Sequence, residues 1–162
     1  MFGFLKKNVE VYIVSPVSGK LMDITEVPDE VFSTKMVGDG VAIEPDNGLV
    51  VAPCSGKIVQ IFNTNHAVAI ETKEGLEVLI HLGIDTVKLK GEGFKRIAAV
   101  GDEVKEGDPL IEMDLEKIKS LGKPTITPVI ITNPQVIETM DKKTGVVQAG
   151  KDRIMTIKIK KS

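Results

Sequence analysis

An all-β fold, an antiparallel sandwich or barrel with one or two short helical turns, is predicted by three observations. Short runs rich in β-branched residues recur along the chain, with glycine or proline between them. No strand–helix–strand rhythm interrupts them. The connections are short, which favours antiparallel neighbours over crossovers. The 162 residues suit one domain, read as an arm over 1–14 that leads into the first strand and a single domain over 15–162.

The elements follow in order. The opening MFGFLKKNVE carries its apolar side chains before its two lysines, the reverse of a secretory signal. It reads as a frayed tail with at most weak lipid contact. Strands are predicted at VEVYIVS, GKLMDIT, GVAIEP, GLVVAP, GKIVQIF, HAVAIET, LEVLIHLG, RIAAV, PLIEMD, PVIIT and RIMTIKIKK. Two short helices are predicted. PDEVFSTKM begins with Pro28 in its first turn. DLEKIKSLG has Asp114 as its N-cap, Gly122 as its stop, and Leu115, Ile118 and Leu121 at helical spacing. SPVSGKLMDI at 15–24 echoes APCSGKIVQI at 52–61. A Ser-Gly turn feeding a strand explains both copies, and they are read as two turns of one type rather than two halves of a barrel.

Composition excludes several classes. Net charge is −2 and the pI about 5.8, without the basic footprint of a nucleic-acid binder. A single cysteine, Cys54, forbids an internal disulfide and fits a reducing, cytoplasmic setting. No apolar run approaches the roughly 20 residues of a membrane span. There is no Gly-x-x-x-x-Gly-Lys-Ser/Thr loop for ATP and no Gly-x-Ser-x-Gly elbow.

The chain has two histidines, and one interrupts the apolar run VLIHLGID. A four-residue loop, Thr72 to Gly75, centres the hairpin on the 73–74 bond and sets His66 directly opposite His81. Opposed residues share a face with Cβ atoms roughly 4.5–5.5 Å apart. A one-residue slip would send the rings to opposite faces. Alternation adds Thr64 and Val68 beside His66, and Leu79, Gly83 and Asp85 beside His81, with Asp85 at the edge. Neutral imidazoles offer a lone pair for a metal, for a proton or for nucleophilic attack. A metal site built from His66, His81 and Asp85 alone is thin. Thr64 is the one hydroxyl on this face for a histidine base. Attack on phosphorus needs no ATP loop if the phosphoryl group arrives on another protein, and the second ring can steady the anion.

KMVGDGVAI, NTNHAVAIET, VLIHLGIDTVKLKGEGF and GDEVKEGDPLIEMDL together carry a resemblance. From SPVSGK to TPVIITN the chain resembles the glucose-type enzyme IIA family of the bacterial phosphoenolpyruvate-dependent sugar phosphotransferase system. The resemblance implies a small antiparallel β-sandwich and no required cofactor. It implies that His81 accepts a phosphoryl group from phospho-HPr and passes it to a cysteine of the IIB domain of a glucose-type permease. His66 would stabilise the group, oriented by Thr64. An apolar rim of Val31, Phe32, Met36, Val37, Phe62, Leu79 and Val87 would dock both partners. Some relatives bind zinc between the two histidines with a carboxylate from a regulated enzyme, so His66 and His81 are also candidate ligands for a partner-completed zinc. Relatives often carry phenylalanine where this chain has Leu82, and some carry an aromatic residue in place of Leu79. Both swaps bear on partner preference. The initial methionine and short arm favour a free protein over a domain of a larger permease.

VVAPCSGKIVQIF followed by VGDEVKEGDPLIEM also resembles a biotinyl or lipoyl carrier domain. Here EMDLEKIKS stands where such a domain carries its modified lysine in a hairpin. A regulatory adaptor without chemistry is the remaining alternative.

Overall fold

Fourteen strands, all paired antiparallel, make up the body of the computed structural model, which describes residues 9–160. They are β1 (Val9–Val14), β2 (Gly19–Asp23), β3 (Asp39–Pro45), β4 (Leu49–Val51), β5 (Gly56–Ile61), β6 (Ala67–Glu71) and β7 (Glu77–His81) in the first part of the chain. The rest are β8 (Phe94–Arg96), β9 (Glu103–Val104), β10 (Pro109–Met113), β11 (Thr127–Ile131), β12 (Ile137–Lys142), β13 (Gly145–Val147) and β14 (Arg153–Ile159). Helices α1 (Glu30–Ser33) and α2 (Leu115–Ser120) are short. Among the described residues no helix is long and apolar enough to cross a membrane.

The predicted class holds, with local corrections. The 1–14 arm divides at Val9: β1 is part of the body, pairing with β14 and burying Ile13, while residues 1–8, and with them the expected lipid contact, lie outside the described residues. RIAAV forms its strand earlier, at β8, because only Phe94–Arg96 pair with β10. The short β9, β12 and β13 escaped prediction, since their runs are too brief or too polar for alternation to show. Pro28 stands outside α1, whose N-cap is Asp29, with the Asp29 carboxylate accepting from Val31 N–H at 2.9 Å. Asp114 caps α2 as expected, its carboxylate accepting from Lys117 N–H at 3.0 Å.

The eight-stranded sheet runs β13-β2-β3-β11-β7-β6-β5-β9, flanked by β1-β14-β12 and β4-β10-β8. Exchanging β13 with β9, β2 with β5, β3 with β6 and β11 with β7 leaves the large sheet's order unchanged. Exchanging β1 with β4, β14 with β10 and β12 with β8 likewise carries one small sheet onto the other. The echo is therefore two related halves, one inserted into the other, and not merely a repeated turn. The two copies lie side by side, Val14 N–H donating to Pro53 O (2.9 Å) and Val51 N–H to Pro16 O (2.8 Å). Equivalent turns close over them. Gly150 N–H donates to Ser15 O and Gly107 N–H to Ala52 O, both at 2.8 Å. The echoed serines have matching tasks, Ser18 Oγ accepting from Ala149 N–H (2.9 Å) and Ser55 Oγ from Glu106 N–H (3.3 Å). An approximate two-fold axis thus passes between β7 and β11.

Alternation along β7 and β11 separates two cores. Val78, Ile80, Val129 and Ile131 enter the larger one. Leu79 and Ile130 face the other way, into a smaller core with Ile24, Val27, Phe32, Ala42, Ile84 and Ile126. The segment that carries α1 covers this second face, and the site is built beside it.

The duplicated glycines supply a test. A Cβ on Gly19 would lie 2.0 Å from Glu44 O, and one on Gly56 would lie 2.4 Å from Glu71 O. Both contacts are with the backbone of the neighbouring strand and cannot relax cheaply. Gly19→Ala and Gly56→Ala are each expected to cost roughly 2–3 kcal/mol, measured by urea unfolding. Wild-type stability in either variant would contradict the close approach.

Candidate functional site

His81 ends β7. Because Val78, Ile80 and the fully buried Leu82 all join the larger core, the alternate positions Leu79 and His81 are turned to the opposite face. The histidine in the apolar run is the last outward residue of a strand buried on both sides. Its ring is fixed from below: Nδ1 lies 2.7 Å from Gly83 O. A carbonyl only accepts, so Nδ1 carries the proton and Nε2 keeps the lone pair. Gly83 is required there. Its φ is +82°, and a Cβ would meet Thr86 Cγ2 at 2.6 Å and Pro124 O at 2.7 Å. Thr86 Oγ1 donates in turn to Leu82 O at 2.7 Å.

His66 reaches the same place by another route. The turn is shorter by one residue than the sequence reading assumes: Thr72 N–H donates to Leu76 O (2.9 Å), Gly75 N–H to Thr72 O (3.0 Å), and Gly75 takes φ +95°. Glycine's ease in the left-handed region makes a three-residue loop the natural solution. The register therefore pairs His81 with Ala67, and His66 lies across from Leu82, whose N–H it accepts at 2.6 Å. Strict alternation would send His66 to the larger core. It escapes because it precedes the strand, in a bend that follows Asn65 at φ 58°. The rings meet after all, centroids 5.1 Å apart and planes at 76°. Thr64 is not on a strand face with Val68. It sits in the turn closed by Asn65 N–H donating to Phe62 O (2.7 Å), and its hydroxyl is hydrogen-bonded to His66 Nδ1.

Both rings are held neutral. Burial, with a smaller contribution from His81, pushes His66 down to about 4. Burial also lowers His81, opposed by the Gly83 hydrogen bond and by the charge of Asp29. Phe32 packs against His81 with centroids 4.9 Å apart, and Phe62 packs edge-on against His66 at 5.2 Å.

A cleft of about 360 Å³ opens at His81. Val31, Phe32, Val37, Phe62, Leu79 and Val87 line it, together with Asp29 and Asp85. Six of the seven expected rim residues are thus gathered, and the seventh, Met36, does not line the cleft although it is 75% exposed. Phe32 is a wall rather than a rim, only 7% exposed and part of the smaller core. Leu82 is not at the surface, so its exchange with phenylalanine is a core matter. Asp85 stands at the edge as expected, at φ 60°. Lys88 (2.9 Å) and Lys123 (3.0 Å) hold its carboxylate and lower its pKa. Asp29 escaped the sequence reading because its capping role is local and its charge reaches His81 only through the fold.

Among the described residues no group of three or more His, Cys, Asp or Glu is arranged to hold a metal. Cys54 lies in the larger core, where burial pushes its thiol up to about 12. In EMDLEKIKS, Glu112 and Met113 end β10 and Leu115–Ser120 form α2, instead of a lysine-bearing hairpin.

Residues 11–137 match the model of the phosphoenolpyruvate-dependent sugar phosphotransferase system, EIIA 1 family. The PTS system glucose-specific EIIA component of Haemophilus influenzae is 50% identical over 152 residues, 94% of this chain and 92% of that one. The PTS system glucoside-specific EIICBA component of Staphylococcus carnosus is 47% identical over 143 residues, which are 88% of this chain and 21% of the longer one. The structure of glucose permease IIA from Mycoplasma capricolum superposes with a TM-score of 0.81 at 38% identity, covering 94% of this chain and 97% of that one. The biotinyl, lipoyl and plain-adaptor alternatives find no support among these relatives.

The depressed His66 carries a pH signature. Its folded value, about 4, lies below the ordinary 6.5, so the unfolded chain binds the proton first as pH falls. Stability from this group is complete above about pH 6.5 and is lost progressively toward pH 4. Between pH 7 and pH 5 it should amount to about 2 kcal/mol. Urea unfolding of wild type and His66→Gln at both pH values measures it, and the variant should lose that much less. Parallel losses in the two proteins would contradict a neutral, buried His66.

Proposed function

Because the chain belongs to the EIIA 1 family of the phosphoenolpyruvate-dependent sugar phosphotransferase system, whose members carry phosphoryl groups between proteins, we propose that His81 is the residue that takes the group up. The carrying observation is His81 itself: its Nδ1 is committed to Gly83 O at 2.7 Å, and Nε2 is left with a lone pair in an apolar cleft.

The steps balance without a bound nucleotide. The Nε2 lone pair of His81 attacks phosphorus on the phosphohistidine of the donor, HPr. A new N–P bond forms, and the donor's N–P bond breaks with its electron pair returning to the donor imidazole. His81, still protonated at Nδ1, now bears positive charge on its ring. The Gly83 carbonyl and the Asp29 carboxylate both favour that charge. The negative oxygens need a donor nearby, and the neutral His66 supplies one. If the Thr64 hydroxyl donates to His66 Nδ1, the ring's remaining nitrogen carries N–H for a phosphoryl oxygen. The apolar walls keep water from phosphorus and lower the local dielectric. A cysteine thiolate on the IIB domain of a glucose-type permease then attacks phosphorus, the His81 N–P bond breaks, and the lone pair returns.

Two partners met in turn call for a shared, shallow, apolar contact. Val31 and Val87, 44% and 49% exposed, flank His81 and fit that use. An exchange of phosphoryl groups with HPr and a IIB domain fits work in the cytoplasm, and we extend the proposal to that location. With Nδ1 of His81 engaged, its Nε2 keeps a lone pair for a zinc ion; His66 would offer its second nitrogen only in the other tautomer, with Nδ1–H donating to the Thr64 hydroxyl, and a partner carboxylate would have to complete the set.

Incubation with phosphoenolpyruvate, enzyme I and HPr, followed by mapping of the modified residue, tests the assignment. His81→Ala should accept nothing. His66→Gln should still accept but pass the group on slower by on the order of 10²-fold. Label on another residue, or normal transfer by His66→Gln, would refute the division of roles. Val31→Asp and Val87→Asp should weaken binding of both partners, read by titration calorimetry, with an unchanged melting temperature. Undiminished binding would move the docking surface elsewhere. Phe32→Asp is no substitute, because it places a charge in the smaller core.

A further inference from the structure

We infer that Arg96 is a positioning residue for His66, acting through the turn that carries it. This rests on the reading of His66 as the group that steadies the phosphoryl anion. Arg96 lies on β8, and its guanidinium crosses to the turn at 62–65. Nε donates to Asn65 Oδ1 at 2.7 Å and Nη2 to Phe62 O at 3.3 Å. Those two acceptors are the ends of the turn, since Phe62 O also receives Asn65 N–H at 2.7 Å. Asn65 is the left-handed residue at φ 58° whose backbone turns His66 out of the larger core. Thr64, which bonds His66 Nδ1, lies inside the same loop. The clamp therefore holds the backbone hinge and the hydroxyl that together set the ring.

The guanidinium is at the surface, where a single hydrogen bond does little. A planar fork that fixes two acceptors at once gives direction as well as attraction, which an ammonium cannot reproduce. The duplicated half supplies an internal comparison. Arg96 pairs with Ile111 on β10, and its two-fold counterpart Lys142 pairs with Met155 on β14. The counterpart of His66, opposite Leu82, is Asp39, opposite Ile131. Lys142 bonds that side chain directly, at 2.5 Å to Asp39, and also holds Asp23 at 2.8 Å. In the half that bears the histidines, the same rung reaches past the side chain and grips the backbone turn, leaving the imidazole free to act.

The test uses the intact chain with Arg96→Gln, Arg96→Lys and Asn65→Ala. Long-range nitrogen NMR on the unphosphorylated protein reads the tautomer and ring shifts of both histidines. Onward transfer to the IIB domain and acceptance from HPr are timed on the same samples. In Arg96→Gln the His66 resonances should shift and its tautomers mix, while those of His81 stay in place. Onward transfer should fall at least tenfold, acceptance by much less, and Arg96→Lys should not restore it. Asn65→Ala should behave alike, and the double variant no worse than either single. Wild-type His66 resonances in Arg96→Gln overturn the inference, and so do shifted resonances with a normal transfer rate. Failure of the phosphoryl reading appears separately, as normal transfer by His66→Gln. Should Arg96→Gln not fold, Asn65→Ala carries the same readouts.

Discussion

The three-residue turn at Lys73–Gly75 sets the rung on which β6 meets β7, and the site depends on that register. With Val68, Ile70, Val78 and Ile80 facing the larger core, His81 has only the other face to occupy. A shift of the ladder by one residue would bury the imidazole and expose the valine–isoleucine row, so the register is enforced by the whole apolar set and not by the turn alone. The second histidine is exempt from alternation because it stands just before the strand. A left-handed asparagine, a hydroxyl from Thr64 and a ring contact with Phe62 orient it instead. Two rings brought together by different local rules end 5.1 Å apart.

What the two rings can do follows from their surroundings. A phosphoryl carrier needs one nitrogen with a lone pair and one N–H nearby, on groups that stay uncharged between turnovers. Burial supplies the neutrality, and the Gly83 carbonyl supplies the tautomer of His81. The same carbonyl, with Asp29, favours positive charge on that ring, as the proposed attachment of phosphorus would require. The carboxylate of Asp85 is the contrasting case. Two lysines occupy it, so its charge is spent on the surface of the site and not on the His81 ring.

The duplicated architecture shows how a site can arise on one half of a symmetric frame. Both halves use a Ser-Gly entry into a strand, a glycine turn that closes over it, and a cation on the equivalent rung of the small sheet. In one half the rung ends in a lysine between two aspartates, a closed and half-buried ion cluster. In the other it ends in an arginine on a turn, and a histidine stands where the aspartate would be. Shared backbone rules carry the frame, and side-chain differences at a few matched positions distinguish the half that holds the candidate site.

By itself the sequence determined the all-β class, most strands, both short helices, and the two histidines as one candidate site. Alternation, glycine placement and residue scarcity are local or countable properties, visible before folding. It did not determine the register: Thr72–Gly75 admits a three- or a four-residue loop, and the difference is decided by how the flanking apolar faces pack. It read the Ser-Gly echo as a repeated turn, because two-fold relations join strands such as β11 and β7 that are far apart in the chain. It read Phe32 as rim and overlooked Asp29 and Arg96, whose neighbours are assigned only when the chain closes on itself. Positions on one strand are legible from their spacing, whereas contacts between strands depend on which faces win the competition for burial, and that is settled in three dimensions.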